Sequence, residues 1–302
     1  MVSDGGPTSD LRLAWVRFLG ERGVDAESLL AALPGHADRG ADVRALITTY
    51  VDEGPVAVEL VAPHIRRGMR ILEVGSGIGL VSRFLATLGH DVVATEPSSD
   101  GFPLMRDAEE AVDRACGPVE GPGSLSRLGL GVDDLDPDAL GRFDLVFSSN
   151  VLEHLPDPGR ALVHLHRFVA DGGIQTHVCP NYAFPFDPHI SRPLLPLAPH
   201  MTRIVLPRRL REDPAFRTVN FVTAGRLRRA ARAAGLELEF DRGLLAAAFD
   251  RFATDPTFAA RHAGLGPIVR IMRATGVDRL VRAVPPSLAS PMRFTVRGPA
   301  RA

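Results

Sequence analysis

The stretch that decides the fold is Ile71-Leu72-Glu73-Val74-Gly75-Ser76-Gly77-Ile78-Gly79, an apolar segment followed by glycines at alternate positions. The apolar residues predict a buried strand. The glycines predict a tight turn at which a ligand can approach the backbone without meeting a Cβ atom. The helical pattern that follows, over 80–88, would point its first backbone N–H groups at this turn. We therefore predict the first half of a βαβ unit with a ligand site at its turn.

The glycine spacing differs from the dinucleotide-binding fingerprint, Gly-x-Gly-x-x-Gly. The sixth position is Leu80 when counted from Gly75 and Ser82 when counted from Gly77. A nucleotide-dependent oxidoreductase is therefore disfavoured. Glu96 follows the next predicted strand, and a carboxylate at that place can accept hydrogen bonds from both hydroxyls of a ribose. Enzymes that bind different nucleoside-containing cofactors share this device, so Glu96 alone does not discriminate between those cofactors.

Strand and helix patterns alternate along the middle of the chain, which predicts βαβ units and a parallel sheet. Strands are predicted at 70–74, 91–95, 125–132, 143–147, 174–179, 236–240 and 292–296. The predicted fold class is α/β, with a Rossmann-like, doubly wound, mostly parallel seven-stranded sheet. A helical N-terminal region and a helical cap insertion are added to it.

Three regions are predicted along the chain. Residues 1–54 carry helical patterns over 10–22, 26–33 and 43–51, and a new helix is expected from Pro55. Residues 55–241 form the ligand-binding core, in which the proline-dense stretch 180–215 is expected to be irregular. Residues 242–302 are expected to form a helical insertion that caps the site, followed by a final strand that returns to the core.

Composition limits the classes of partner. The chain has 302 residues and a formal net charge of −1, and all 35 of its basic residues are arginine. A nucleic-acid partner would favour a basic excess, and a membrane span would need a longer apolar run. We therefore expect a cytoplasmic protein with a small-molecule substrate, no nucleic acid and no membrane, and with a homodimer as one assembly that the sequence allows. The absence of lysine also excludes a lysine base.

Four blocks together resemble the type-11 group of class I S-adenosylmethionine-dependent methyltransferases. They are Ile71 to Gly79, Thr95-Glu96-Pro97, Phe143 to His154, and Ala170-Asp171-Gly172-Gly173. The resemblance covers residues 55–180 well and 220–241 moderately. It implies S-adenosylmethionine as the cofactor and methyl transfer as the reaction.

The resemblance also implies a role for each matching position in binding the cofactor. Glu73 would anchor the amino acid end, mostly through water or backbone. Gly75, Ser76, Gly77 and Gly79 would form the turn beneath it, Glu96 with Pro97 would lie at the ribose, Asp133 with Val132 or Asp134 at the adenine, and Asn150 with Val151 along the methionine side.

His154, Tyr182 and His189 are the predicted catalytic residues. They follow the fourth and fifth strands, where ligands of open α/β sheets bind. A phenol or alcohol acceptor must lose a proton, for which histidine is the usual base, whereas a carboxylate acceptor needs no base. The alternatives are that His154 only packs or caps a helix start, and that the 180–189 stretch is a proline-stiffened loop packed on the core.

No metal is expected. His189, Asp187 and His200 are the residues from which a site could be built, but their spacing matches no known metal motif. His177, inside the fifth strand, is expected to be structural. The arginines of 226–229 are most simply interpreted as a solvated helix face. For Arg208, Arg209 and Arg211 a surface role is favoured, and binding of an anionic substrate is the alternative.

The sequence thus predicts S-adenosylmethionine-dependent methyl transfer to a small molecule. O-methylation in bacterial natural-product or cell-envelope biosynthesis is the leading hypothesis. The alternative is an enzyme of the same fold that binds the same cofactor but catalyses cyclisation, decarboxylation or pericyclic closure, since the cofactor motifs would be identical.

Overall fold

The computed structural model describes residues 7–33, 41–97, 103–196, 198–254, 256–261 and 263–298. The chain divides into two compact units. The first comprises residues 1–149 and 164–176, and the second comprises 150–163 and 177–302. The region boundaries expected after residues 54 and 241 remain predictions.

A parallel sheet forms the centre of the first unit. Its strands are β1 (Arg70–Val74), β2 (Asp91–Thr95), β3 (Ser124–Leu128) and β4 (Phe143–Ser149). β1 pairs in parallel with both β2 and β4, which places Val74 opposite Thr95 on one side and Ser148 on the other. β2 also pairs in parallel with β3. The mostly buried residues of β1, β2 and β4 explain their continuous apolar runs, as is usual in parallel sheets.

The complete sheet has seven strands. The strands that follow β4 in the chain are β5 (Val169–Cys179), β6 (Phe186–Asp187), β7 (Arg192–Pro193), β8 (Glu237–Phe240) and β9 (Met292–Arg297). The order in the sheet is β3-β2-β1-β4-β5-β9-β8, and β8 pairs antiparallel with β9. The predicted doubly wound, mostly parallel seven-stranded sheet is therefore confirmed. The order reverses between β1 and β4, the point at which open sheets of this kind bind ligands.

Helices precede and connect the strands of the first unit. They are α1 (Pro7–Arg22), α2 (Ala26–Ala32), α3 (Ala41–Val61), α4 (Leu80–Thr87), α5 (Pro103–Cys116) and α6 (Pro137–Leu140). The buried rings of Trp15 and Phe18 on α1 meet Phe84 on α4, at centroid distances of 5.3 and 5.4 Å. The N-terminal helices therefore pack on the helix that follows the glycine turn.

The prediction of a helix break before Pro55 was wrong. α3 is one helix with Pro55 inside it, so it runs through the boundary expected after residue 54. Gly54 has a packing role instead, because a Cβ atom there would clash with the ring of Trp15. Proline costs this helix one backbone hydrogen bond but does not end it.

Two other predicted bounds are corrected. β3 ends at Leu128, four residues earlier than expected, and a 3₁₀ helix follows at Val132–Asp134. β5 begins at Val169, five residues earlier than expected, so residues 170–173 lie inside it. A Cβ atom at Gly173 would lie 2.9 Å from the carbonyl oxygen of Phe143. Glycine is therefore needed at position 173 for close approach of the two backbones, a second use of glycine that a sequence pattern cannot separate from a turn.

The remaining helices are mostly in the second unit. They are α7 (Pro158–His166), α8 (Thr202–Val205), α9 (Arg208–Arg211), α10 (Pro214–Thr218), α11 (Ala224–Ala233), α12 (Leu244–Thr254), α13 (Pro256–Arg261), α14 (Gly266–Thr275) and α15 (Asp278–Val281). The four from α12 to α15 lie between β8 and β9 in the chain, as the predicted helical insertion requires. Among the described residues, no helix has both the length and the apolar character needed to cross a bilayer.

The stretch 180–215 is more regular than expected. β6 and β7 form a hairpin, with Asp187 opposite Arg192, and short helices follow it. The second unit gains a core here, because Tyr182, Phe216 and Val222 are buried in one cluster with Leu227 of α11. Packing against residues distant in the chain therefore orders the stretch 180–215, whose sequence shows no helical or strand periodicity.

Candidate functional site

The glycine turn after β1 has the predicted form. Gly75, Gly77 and Gly79 have φ angles of +70°, +54° and +75°, in the region that favours glycine. The N–H groups of Gly75 and Ser76 donate to the carbonyl oxygen of Thr95, at 2.8 and 3.1 Å. The N–H group of Gly79 donates to the oxygen of Ser76 at 2.9 Å, which closes the turn. The turn is thus fixed against the end of β2.

Glu96 lies beside this turn, as predicted. Its carboxylate accepts a hydrogen bond of 2.8 Å from the N–H group of Gly77. Burial raises the pKa of Glu96, and the bond from Gly77 opposes that change. Pro97, which follows it, is exposed. An acidic side chain therefore stands at the end of β2 in direct contact with the glycine turn.

Tyr50 of α3 is a member of this group that the sequence analysis missed. A Cβ atom at position 77 would clash with its ring, so the ring lies directly on Gly77. Burial, and after it the charge of Glu96, raises the pKa of Tyr50, so the phenol keeps its proton. The one sequence feature that distinguished Tyr50 is the rarity of its type, since the chain has only two tyrosines.

Glu73 is buried at the carboxyl end of β1 and accepts a hydrogen bond from the hydroxyl of Ser82 on α4. Burial raises its pKa to about 8, against the opposing effect of Ser82. A cationic group beside Glu73 would stabilise its ionised form. Its predicted role in anchoring an ammonium-bearing ligand is compatible with this position and remains a prediction.

The predicted adenine contact is the least defined. Asp133 is exposed, on the 3₁₀ helix beyond the end of β3.

Two arginines that share the carboxylate of Asp113 lie near the glycine turn. Arg127 of β3 binds Asp113 through both terminal nitrogens, at 2.7 and 2.8 Å, and a Cβ atom at Gly79 would lie 3.2 Å from it. Arg83 of α4 binds the same carboxylate.

The first unit fits an adenosyl ligand. Three glycines leave the backbone of the turn bare, α4 begins without a side-chain cap, and a carboxylate follows β2, as the predicted ribose contact of Glu96 requires; that contact remains a prediction. Of the predicted cofactor residues, the structure brings together Gly75, Ser76, Gly77, Gly79 and Glu96, and adds Tyr50.

In the second unit, Asn150 and Val151 begin the segment after β4. Asn150 has a φ of +54°, unusual for a residue with a side chain, and its N–H group donates to the oxygen of Val178 at 2.9 Å. Val151 accepts from the N–H group of His154 at 2.9 Å and precedes a 3₁₀ helix at Leu152–His154. Their contact with the cofactor remains a prediction.

The three predicted catalytic side chains lie close together in the second unit, with two carboxylates. We call this group the polar cluster; its members are Glu153, His154, Tyr182, Asp187 and His189. The rings of His154 and His189 are 5.1 Å apart between centroids. The hydroxyl of Tyr182 lies 2.9 Å from Asp187 and 3.4 Å from Nδ1 of His189. The same nitrogen is 3.4 Å from the other oxygen of Asp187.

Thr218 favours the tautomer of His154 that carries its proton on Nδ1. Its hydroxyl donates to the carbonyl oxygen of Ala215 at 2.9 Å, so its oxygen is left to accept from Nδ1 of His154 at 2.7 Å. Nε2 therefore carries the lone pair. Burial, and then the charge of His189, lowers the pKa of His154 to about 4, so the ring is neutral near pH 7.

Asp187 is held by its own hairpin. One carboxylate oxygen accepts from the N–H groups of His189 and Ile190, at 2.8 and 3.1 Å. Burial opposes its ionisation, but the hydrogen bond and charge of His189 outweigh this and lower the pKa of Asp187. Burial and the neighbouring Asp187 raise the pKa of Tyr182. Tyr182 is therefore a hydrogen-bond donor to Asp187 rather than a base.

Asn220, also missed by the sequence analysis, fixes the 3₁₀ helix that carries Glu153 and His154. Its side-chain nitrogen donates to the carbonyl oxygens of Leu152 and Leu155, at 2.7 and 2.6 Å. Its backbone N–H group donates to the carbonyl oxygen of Glu153 at 2.7 Å.

Two other predictions concern residues outside the polar cluster. His177 is buried, with its ring 5.5 Å from the ring of Phe294, which agrees with its expected structural role. The arginines of 208–211 are exposed, as expected.

Comparison with known proteins identifies the class. Residues 55–239 match the family model described as a methyltransferase domain, so the chain belongs to that family. It is a class I S-adenosylmethionine-dependent methyltransferase, and S-adenosylmethionine is its cofactor. The predicted family, enzyme class and cofactor are therefore confirmed.

Three similar proteins each match part of this chain. The uncharacterised protein Rv1509 of Mycobacterium tuberculosis is 33% identical over 206 residues, covering 65% of this chain and 67% of that protein. A ubiquinone biosynthesis O-methyltransferase of Azotobacter vinelandii is 32% identical over 120 residues, covering 39% of this chain and 48% of that enzyme. Among solved structures, the cyclopropane synthase MmaA2 of Mycobacterium tuberculosis has a TM-score of 0.46 at 15% identity, covering 82% of this chain and 85% of that one. This chain thus spans about half the length of the ubiquinone enzyme.

Proposed function

We propose that this enzyme methylates a hydroxyl oxygen of a small molecule, in bacterial natural-product or cell-envelope biosynthesis. The observation that carries the proposal is the polar cluster, in which His154, Tyr182 and His189 lie together after the carboxyl ends of β4 and β5. An oxygen acceptor is the kind that needs a group to take its proton. The cluster provides two imidazoles, one of them ordered by a buried carboxylate.

The bound cofactor supplies an electrophilic methyl group, so the protein must orient the acceptor, exclude water and manage one proton. In the proposal Glu96 and the glycine turn hold the cofactor, together with Glu73, Pro97, Asp133, Asn150 and Val151. The polar cluster contacts the acceptor. Tyr182 holds Asp187, Asp187 orients Nδ1 of His189, and His154 presents the lone pair of Nε2.

Other observations support the acceptor class. The name of the Azotobacter vinelandii relative states O-methyl transfer. The net charge of −1 disfavours a polyanionic acceptor such as a nucleic acid. A small-molecule substrate without nucleic acid or membrane, a cytoplasmic location and a homodimeric assembly complete the proposal.

The test is transfer of a labelled methyl group. The purified protein is incubated with [methyl-¹³C]S-adenosylmethionine and the small-molecule extract of its source bacterium, and products are identified by mass spectrometry and NMR. We expect one product carrying a ¹³C-labelled O-methyl group, whose formation His154→Gln and His189→Gln reduce at least a hundredfold. Label on nitrogen or carbon would contradict O-methylation. A transformed product without label would favour a non-methylating reaction.

A further inference from the structure

We infer that Glu153, His154 and His189 bind one divalent cation of the zinc type, which would take the acceptor's hydroxyl oxygen at an open position. One carboxylate oxygen of Glu153 and one ring nitrogen of each histidine lie within 4.8 Å of one another. In a tetrahedral zinc site the ligand atoms are about 3.3 Å apart. Small side-chain rotations that draw the group together by about 1–2 Å would close the site.

The ligand types suit such a cation. Two imidazoles and one carboxylate are ligands that zinc and its neighbours in the first transition row prefer. Glu153 is completely buried, and a buried carboxylate gains more from a cation than a solvated one does. Three protein ligands leave at least one coordination position for water or substrate.

The groups around the ligands resemble the outer shell of a metal site. Metal-binding histidines usually donate their second N–H group to a protein oxygen, which fixes the ring and its tautomer. Nδ1 of His154 lies 2.7 Å from the hydroxyl of Thr218. Nδ1 of His189 lies 3.4 Å from the carboxylate of Asp187, which Tyr182 holds from its other side. Each ring would thus bind the cation through Nε2.

The sequence expectation of no metal rested on a different set of residues. Asp187 belongs to the outer group in this arrangement, and His200 is exposed on a separate 3₁₀ helix, Pro199–Met201. Glu153 completes the ligands instead. It is adjacent to His154 in the sequence but 36 positions from His189, a spacing that only tertiary structure brings together.

The use of the cation rests on the proposed function. A hydroxyl bound to a divalent cation loses its proton to solvent water more readily than a free hydroxyl does. Its oxygen then forms the new bond to the methyl carbon while the methyl–sulfur bond breaks, which releases S-adenosylhomocysteine. The two imidazoles act as ligands in this scheme, and the acceptor class is a molecule whose hydroxyl can reach the cation.

Cobalt titration tests the site. The full chain is freed of metal with a chelator, dialysed and titrated with Co²⁺, whose visible absorption reports coordination by nitrogen and oxygen, with Zn²⁺ as competitor. We expect one equivalent to bind. Glu153→Gln, His154→Gln and His189→Gln should each weaken binding at least a hundredfold, and Thr218→Val about tenfold. His200→Gln, the matched control, should bind like the wild type.

Two results would overturn the inference: no binding of Co²⁺ or Zn²⁺ at micromolar concentration, or one-to-one binding that the three ligand variants leave unchanged. Calorimetry with S-adenosylhomocysteine checks that each variant is folded. If the ligand variants do not fold, the Co²⁺ affinity of Thr218→Val tests the inference in their place, and an affinity equal to that of the wild type would overturn it. If hydroxyl methylation persists in EDTA, the cation inference is overturned and the proposed function stands. If the protein binds one equivalent of cobalt but methylates no hydroxyl, the cation site stands and the proposed function is overturned.

Discussion

Gly77 combines two constraints at the scale of a single residue. Its φ of +54° favours glycine, and the ring of Tyr50 occupies the place of a Cβ atom. Gly68 has a similar φ of +69° but nothing within 4 Å of its Cβ position. Alanine variants at Gly68 and Gly77 therefore separate two costs: both include backbone strain, and only the variant at Gly77 adds a clash with Tyr50.

We predict that Gly68→Ala lowers the free energy of unfolding by about 1 kcal/mol through backbone strain alone. Gly77→Ala should cost about 2 kcal/mol more and weaken S-adenosylhomocysteine binding at least tenfold, because Tyr50 or the turn must move. Denaturant unfolding and calorimetry measure the two effects. Equal losses in both variants, with unchanged affinity, would show that Tyr50 does not constrain the turn.

Glu73 makes stability depend on pH. Its pKa is raised to about 8 in the folded state, so the native protein holds a proton that the unfolded chain releases near its ordinary pKa of 4.5. The contribution of this proton is complete below pH 4.5 and is lost as pH rises toward 8.

We predict that the cofactor-free wild type loses up to about 1 kcal/mol of unfolding free energy per pH unit between pH 5 and pH 8 through this group. Glu73→Gln keeps an acceptor for Ser82 but does not titrate, so its stability should change less over the same range. Urea unfolding at pH 6 and pH 8 measures the difference. Parallel curves for the two proteins would show that Glu73 is ionised in the fold.

At the scale of elements, the 3₁₀ helix Leu152–His154 is too short to hold its position alone. Asn220 satisfies carbonyl groups at both of its ends, through two hydrogen bonds from one side-chain nitrogen. This contact joins segments 68 and 65 positions apart in the chain. The polar cluster is therefore positioned by a residue that does not belong to it.

We predict that Asn220→Ala lowers the free energy of unfolding by about 2–4 kcal/mol, because two carbonyl groups lose their donor. Methyl transfer should fall while S-adenosylhomocysteine affinity is kept. Thr223→Ala is the control: it removes the cap of α11, where the hydroxyl accepts from Arg226 at 3.2 Å. That loss should cost about 1 kcal/mol and leave methyl transfer unchanged. The reverse order of effects would contradict the positioning role of Asn220.

At the scale of the whole molecule, cofactor binding and folding are linked. A ligand that binds only the native state stabilises it by about 2.7 kcal/mol at one hundred times its Kd. For a chain of this size such a gain raises the Tm by roughly 5–10 °C. The rise in Tm therefore measures cofactor binding without any knowledge of the acceptor.

We predict this rise in Tm for the wild type with saturating S-adenosylhomocysteine. Glu96→Ala should abolish the rise at the same ligand concentration, because the carboxylate beside the glycine turn is lost. Glu110→Ala, which removes an exposed acid on α5, should keep it. Differential scanning calorimetry measures all three. A Glu96→Ala protein that is stabilised like the wild type would exclude Glu96 from the site.

The sequence alone predicted the class of fold and the place of a ligand site, and the resemblance of four blocks to a known family added the enzyme class and the cofactor. The fold and the site depend on local features: apolar runs that must be buried strands, glycines that permit positive φ, and an acid that directly follows a strand. Such features act within a few residues, so the printed order of residues is sufficient to read them. The place of His154, Tyr182 and His189 after neighbouring strands also predicted that they lie close together, as they do, and their catalytic role stays a prediction.

Only the tertiary structure decided which side chains meet. Tyr50 lies on a turn 27 positions away, Glu153 joins His189, and Asn220 holds a helix far earlier in the chain. The structure also showed that Gly54 and Gly173 lie at places of close approach, to the ring of Trp15 and to the backbone of Phe143. The physical reason is that burial and close packing depend on neighbours in space, and neither periodicity nor propensity records which distant residue will fill that space.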